Sequence, residues 1–308
     1  MKKFLKVTIL FLSIVGITHT AVSDDSEPVA RVESQNDELG ARMLAVGLEA
    51  AKGVENSFFE DFKKLSVEQR NFVLNYSNSK DTNKNKLIHY LSWYGNAELL
   101  RVIIPYYENG LIDARSVKAN NGKMLYQLLQ EKGCKEGLSG APCVAQRNEA
   151  LKVCNDFQKE LNNMAGKLLS EADNAASQSA DKEKFSDPAA ENRRRIDDFI
   201  QKFKALPTRT ASFVLNYSKP EDTQKRTIIH GFAWYGNVEL LNLIIPYYNG
   251  GLDTAIAHKK ADGANLFDLI AIRGCKSGWA EKSLDCALEA QKVFDSIVAA
   301  DKSAQKRD

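Results

Sequence analysis

The chain has 308 residues, 44% apolar and 27% charged, with 42 basic and 40 acidic side chains for a formal charge of +2. These proportions exclude wholesale disorder, a collagen-like repeat and a many-span membrane protein, and they give no case for a nucleic-acid binder. The length is about twice that of a typical domain, so two folded units are expected.

The first element in chain order is a leader. Lys2, Lys3 and Lys6 surround the start of an apolar run from Val7 to Ile17, and Ala21-Val22-Ser23 has the small-x-small pattern of a cleavage site. Residues 1–23 are expected to be a secretory signal peptide, its core too short for a comfortable membrane span. The lysine-led, compact leader points to a bacterial exported protein, periplasmic or secreted, with no stable membrane insertion after cleavage. Cleavage removes three lysines and no acid, leaving 39 basic and 40 acidic groups. A near-neutral mature chain weakens the case for nucleic acid or anionic membrane as partner.

Residues 24–37 are acidic and polar and are expected to be disordered. A first helical module is expected over 38–169. Phe58, Phe62, Leu65 and then Phe72 to Tyr76 predict two short helices. Leu87, Leu91 and Tyr94, and then Leu99, Leu100, Ile103 and Ile104, recur at three- and four-residue steps. Gly95-Asn96 interrupts these runs, which makes a helix–turn–helix hairpin. Leu151, Cys154, Phe157, Leu161, Met164 and Leu168 form one apolar stripe on a long helix.

Residues 170–192 are rich in Ala, Ser, Asp, Glu and Lys and read as a partly helical, solvated linker. Arg193-Arg194-Arg195 could dock an acidic partner, but Asp197-Asp198 follow at once, which favours a solvated helix start. A second helical module is expected over 193–303, with a tail at 304–308. No stretch alternates in the manner of a strand. The fold class is all-α.

The two modules are copies. Phe62 to Cys134 aligns without a gap to Phe203 to Cys275 at an offset of 141, with 35 identities in 73 positions. Identity near one half over that length is duplication.

Lys86-Leu87-Ile88-His89 followed by Trp93-Tyr94-Gly95-Asn96-Ala97-Glu98-Leu99-Leu100 resembles an ankyrin repeat. Thr227-Ile228-Ile229-His230, Ala233 and Gly236 to Leu241 resemble it more closely. A partial further unit starts near Asn121-Gly122 and near Asp262-Gly263. The resemblance covers about Asp81 to Gly133 and Asp222 to Gly274, a third of the chain. Leu87 and Ile228 replace the family proline, bulky Tyr90 and Leu91 replace small residues, and Pro105 and Pro246 must stop or kink the second helix. Two units per module fall below the three a solenoid usually needs, so Phe58 to Tyr76 and Ala145 to Leu169 are the expected caps.

The resemblance implies that His89 and His230 hydrogen-bond turn backbone. It places Trp93-Tyr94 and Trp234-Tyr235 at the end of the first helix, where the family presents contact residues, so these four are the candidate binding residues. Packing under capping helices accounts for them as well. Ile112 to Lys123 and Asp253 to Ala264, projecting fingers by the same resemblance, differ between the copies. His258, with Val117 at its matching position, is expected on a surface loop.

In an exported protein Cys134 and Cys143, and likewise Cys275 and Cys286, should form two local disulfides. Cys154 aligns with Phe294 on the last helix and is either an inert core thiol or the seat of an intermolecular bridge. No metal-ligand spacing, nucleophile motif or phosphate-binding loop is found, so no catalytic residue, metal or cofactor is assigned. The expectation is an exported, non-enzymatic protein–protein interaction protein. The alternatives are an enzyme or toxin with a site between the modules, pairing His258 with a carboxylate, and a self-associating structural protein. Partner and oligomeric state stay open.

Overall fold

The computed structural model describes residues 27–177, 185–273 and 284–305, and every regular element within them is a helix. Helix α1 (Glu27–Ala51) leads to α2 (Phe58–Lys64) and α3 (Val67–Asn75), then to the hairpin of α4 (Leu87–Trp93) and α5 (Ala97–Ile103). A 3-10 turn at Ile104–Tyr106, α6 (Leu111–Ser116) and α7 (Leu125–Glu131) precede the long α8 (Gly140–Ser177). Next come α9 (Pro188–Lys204), α10 (Thr208–Asn216), α11 (Ile228–Trp234) and α12 (Val238–Ile244). A 3-10 turn at Ile245–Tyr247, α13 (Gly251–Ala257), α14 (Leu266–Arg273) and α15 (Leu284–Gln305) complete the chain. The bounds of α3, α4 and α5 recur in α10, α11 and α12 at the offset of 141.

Local chemistry sets these bounds. Asn96 caps α5, its side-chain oxygen accepting the Leu99 N–H at 3.0 Å, and Asn237 does the same for Leu240 at 3.1 Å. Gly95 makes the hairpin turn at φ +58°, where an added Cβ would lie 1.8 Å from the Gly133 carbonyl oxygen. Pro105 and Pro246 sit in the 3-10 turns directly behind α5 and α12, because a residue without an N–H cannot continue the helix. Cys134 and Cys143 are bridged, closing the link between α7 and α8. The expected Cys275–Cys286 bridge falls outside the described residues, as does the expected signal peptide.

Two hydrophobic cores result. One gathers Phe58, Phe62, Leu87, Leu91, Leu100 and Cys154 with Met43 and Leu44 of α1. The other gathers Phe199, Phe203, Phe232 and Leu240 with the C-terminal half of α8. Ala165, Leu168, Leu169, Ala172, Ala175 and Ala176 all belong to this second core. Helix α8 is therefore shared, the last helix of one core and the first of the other.

This corrects the expected boundaries. The stretch from 170 to Ser177 is the buried end of α8 rather than solvated linker, and Pro188 to Asn192 open α9 with Asp187 as cap. The tail is shorter too, since α15 runs to Gln305. The segment expected to be disordered at 24–37 is helical from Glu27. Its Glu, Gln, Arg and Ala residues are adequate helix formers, and extending a helix already anchored at Leu39 to Ala51 is far easier than starting one.

The cores meet through a cap supplied in trans. Helix α3 caps itself, Ser66 and Gln69 exchanging side-chain-to-backbone bonds at 3.2 and 3.0 Å. Its counterpart α10 starts at Pro207, which has no side-chain acceptor. Asn109, from the loop before α6 of the first copy, fills the role: its Oδ1 accepts from both the N–H and the Oγ–H of Thr210 at 3.2 Å. Arg209 adds an ion pair to Asp113 at 3.0 Å.

Candidate functional site

The turn before α4 is built by Asp81, whose carboxylate accepts the backbone N–H groups of Asn83 and Asn85, each at 2.9 Å. Partial burial pushes its pKa up, but these bonds outweigh burial and the group stays below the ordinary aspartate range. His89 joins this turn to the next one along the groove. Its Nδ1 accepts the Lys86 N–H at 2.9 Å, so Nε2 carries the hydrogen and donates to the Val117 carbonyl at 3.2 Å. His230 repeats the pattern between Thr227 N–H, at 3.1 Å, and the His258 carbonyl, at 3.3 Å. Burial lowers the pKa of both rings, that of His230 to about 4. Both imidazoles are neutral structural bridges.

Between consecutive turns, each copy holds a groove. In the first it is about 360 Å³, lined by Asn85, His89, Tyr90, Trp93 and Tyr94 among others. In the second it is about 590 Å³, lined at the matching positions by Arg226, His230, Gly231, Trp234 and Tyr235. The two Trp-Tyr pairs thus occupy the same place in both copies. All four side chains are half-buried at the groove wall, so they pack and face solvent at once. The Lys132 ammonium lies 5.0 Å from the Trp93 ring centre and 5.9 Å from that of Tyr94. The fingers end in tight turns closed by Ala119 N–H to Lys123 O at 3.1 Å and Lys260 N–H to Ala264 O at 2.9 Å.

The grooves differ most in side-chain bulk at one aligned pair, Tyr90 and Gly231. Tyr90 projects into the first and donates its hydroxyl to Asp81 at 3.0 Å. Gly231 stands in its place in the second, and Asp222 is met instead by the Arg226 guanidinium at 3.0 Å.

The other sequence candidates fall as follows. Cys154 is fully buried near Tyr126, and burial pushes its thiol up to about 12. Phe294 packs on Phe267, the counterpart of Tyr126, with ring centres 4.4 Å apart. His258 lies in the loop after α13, but its ring is half-buried there, stacked on His230 at 5.3 Å. The Arg193–Arg195 run is neutralised by Asp197, Glu239, Glu191 and Asp198 on α9 and α12.

A polar cleft of about 680 Å³ lies between the two copies, lined by Asn75, Lys86, Asn109, Asp113, Lys118 and Arg209 among others. Asp113 is engaged there by Arg209 and Asn109, and His258 is not among its lining residues. Among the described residues no cluster of His, Cys, Asp and Glu could hold a metal ion, and no helix is long and apolar enough to cross a membrane. No protein-family model, curated protein or solved structure matches the chain.

Proposed function

We propose that the protein is an exported, non-enzymatic interaction scaffold made of two ankyrin-like units, which recognises another protein through the grooves and their lips. The observation that carries this reading is the repeated Trp-Tyr pair, half-buried at the same wall of both grooves beside fingers of different sequence. Aromatic side chains held rigidly at a concave rim give large contact area for little loss of conformational freedom. The histidine bridges between successive turns support the ankyrin likeness, because they use the role that the resemblance implies for this residue. Export rests on the leader and fits the Cys134–Cys143 bridge, which persists in an oxidising compartment.

Crosslinking in the native host followed by mass spectrometry tests the reading. The wild-type chain should capture a defined partner, and Trp93→Ala combined with Trp234→Ala should lose it without loss of helical signal. An unchanged set of crosslinks in the double variant would remove the aromatic walls as the binding surface. A catalytic reading has one observation in its favour, the polar cleft between the copies, and Asp113→Asn with Lys118→Ala would separate it by abolishing turnover while sparing capture.

A further inference from the structure

The first groove is partly filled by the protein's own phenol, and the second is not. Tyr90 and Gly231 are aligned residues on equivalent helices, α4 and α11, beside the same His and Trp-Tyr residues in both copies. The Tyr-to-Gly difference accompanies an increase in cavity volume from about 360 to about 590 Å³. What surrounds the vacated space is mixed: Trp234, Tyr235, Leu169 and Leu269 supply apolar wall, and charged groups line the remainder.

The charged groups sort by their partners. Arg226 is bound to Asp222 at 3.0 Å, Lys260 to Asp262 at 2.9 Å, and Lys219 to the Ser170 hydroxyl at 3.0 Å. Asp173 differs. Among the described residues it has no hydrogen bond or ion pair, yet its Oδ1 lies only 2.6 Å from where a Cβ on Gly231 would stand. Its carboxylate therefore borders the space that the Tyr90 ring occupies in the first copy. Water reaches it through the open mouth, while the protein around it pushes its pKa up. Arg226 and Lys219 pull the other way, and Asp222 adds to the rise. A carboxylate set at the wall of an aromatic-sided cavity is an acceptor waiting for a donor.

We propose that this cavity binds a small aromatic molecule bearing a hydroxyl or amine, its ring standing where Tyr90 stands in the first copy and its donor hydrogen meeting Asp173. The apolar walls take the ring, and Asp173 selects for the donor over a ring of the same shape that lacks one. The site shares Trp234 and Tyr235 with the rim proposed to capture protein, but its ligand and its Asp173 contact do not require that capture.

The test uses p-cresol, which is the tyrosine side chain itself, and 4-methylanisole, the same shape with its donor hydrogen replaced by methyl. Calorimetric titration of the mature chain should give one p-cresol site with a Kd on the order of 1 mM. The ether should bind about tenfold more weakly, the loss expected when a hydrogen bond to a charged acceptor is removed. Gly231→Tyr should abolish binding of both compounds. That variant replaces glycine within a helix by a better helix former and asks only the flexible Asp173 side chain to move, so it should fold. Asp173→Ala, at an exposed helical position, should leave p-cresol and the ether equal. No saturable binding, binding that survives Gly231→Tyr, or equal affinity for the two compounds in the wild type would each overturn the proposal.

Discussion

At the residue scale, the histidine bridges have a consequence for pH. His230 is 1% exposed, and its Nδ1 accepts a backbone N–H, so a proton placed there faces a donor and has nowhere to go. The folded pKa, near 4, lies below the ordinary 6.5. The unfolded chain therefore takes up the proton first, and stability present above pH 6.5 is lost as pH falls from 6.5 toward 4. The loss is up to about 3 kcal/mol for this residue. Denaturant melts across that range should show the decline, and His230→Ala should flatten it at the cost of a lower plateau. A wild-type curve flat between pH 6.5 and 4 would contradict the assignment. Gly95 carries a steric requirement instead. Gly95→Ala should cost at least about 2 kcal/mol, since it adds a left-handed backbone penalty to a clash with the Gly133 carbonyl; thermal unfolding reads this directly.

At the element scale, α8 is the main correction to the sequence reading. It is legible as far as Leu169, because Leu151, Cys154, Phe157, Leu161, Met164 and Leu168 form a regular stripe. Its end, from 170 to Ser177, is not, because alanines alone carry the burial there: Ala172, Ala175 and Ala176 sit in the core. Such a surface reads as linker by composition. The signal was nevertheless present at another offset. Gly40, Met43, Leu44, Gly47, Ala50 and Ala51 are buried on α1, and the buried α8 residues repeat that order of small and large side chains 125 positions later. The duplication thus extends upstream of Phe62, hidden by the change of offset. Close approach needs the small side chains, so Ala172→Leu should destabilise the second core by about 1–3 kcal/mol through overpacking, read as a lower denaturation midpoint. If the segment were a solvated linker, the substitution would be silent.

The groove difference was legible only in part. Tyr90 stood out in the sequence as bulky against the family pattern, and Gly231 stood at its aligned position. The unpaired carboxylate behind Gly231 was invisible, because it comes from α8, 58 positions earlier in the chain. The packing of His258 was hidden for a similar reason. Nothing local marks the loop after α13 as packed, and its burial comes from the His230 ring stacked on it.

At the scale of the whole molecule, the two copies are joined in one direction. Asn109 caps α10 of the second copy, Asp113 holds Arg209, and the Arg115 guanidinium lies 5.9 Å from the Phe213 ring centre. The corresponding residues in the second copy are Gly250, Thr254 and Ile256, which carry no carboxamide, carboxylate or guanidinium. The residues that make this contact are therefore specific to the first copy. Asn109→Ala should cost about 1–3 kcal/mol by leaving Thr210 uncapped. Pro207→Ser offers α10 a cap of its own, and in that background the same substitution should cost less. A double-mutant cycle with no coupling would refute capping across the copies.

Capture of a protein by the groove rims is the central claim, and single-wall variants test it most directly. In a pull-down from the native compartment, Trp93→Ala and Trp234→Ala should each weaken capture of a partner that wild type retains, and to different extents because the neighbouring fingers differ. Retention of the same partner at wild-type level by both variants, with helical content intact, would contradict the account.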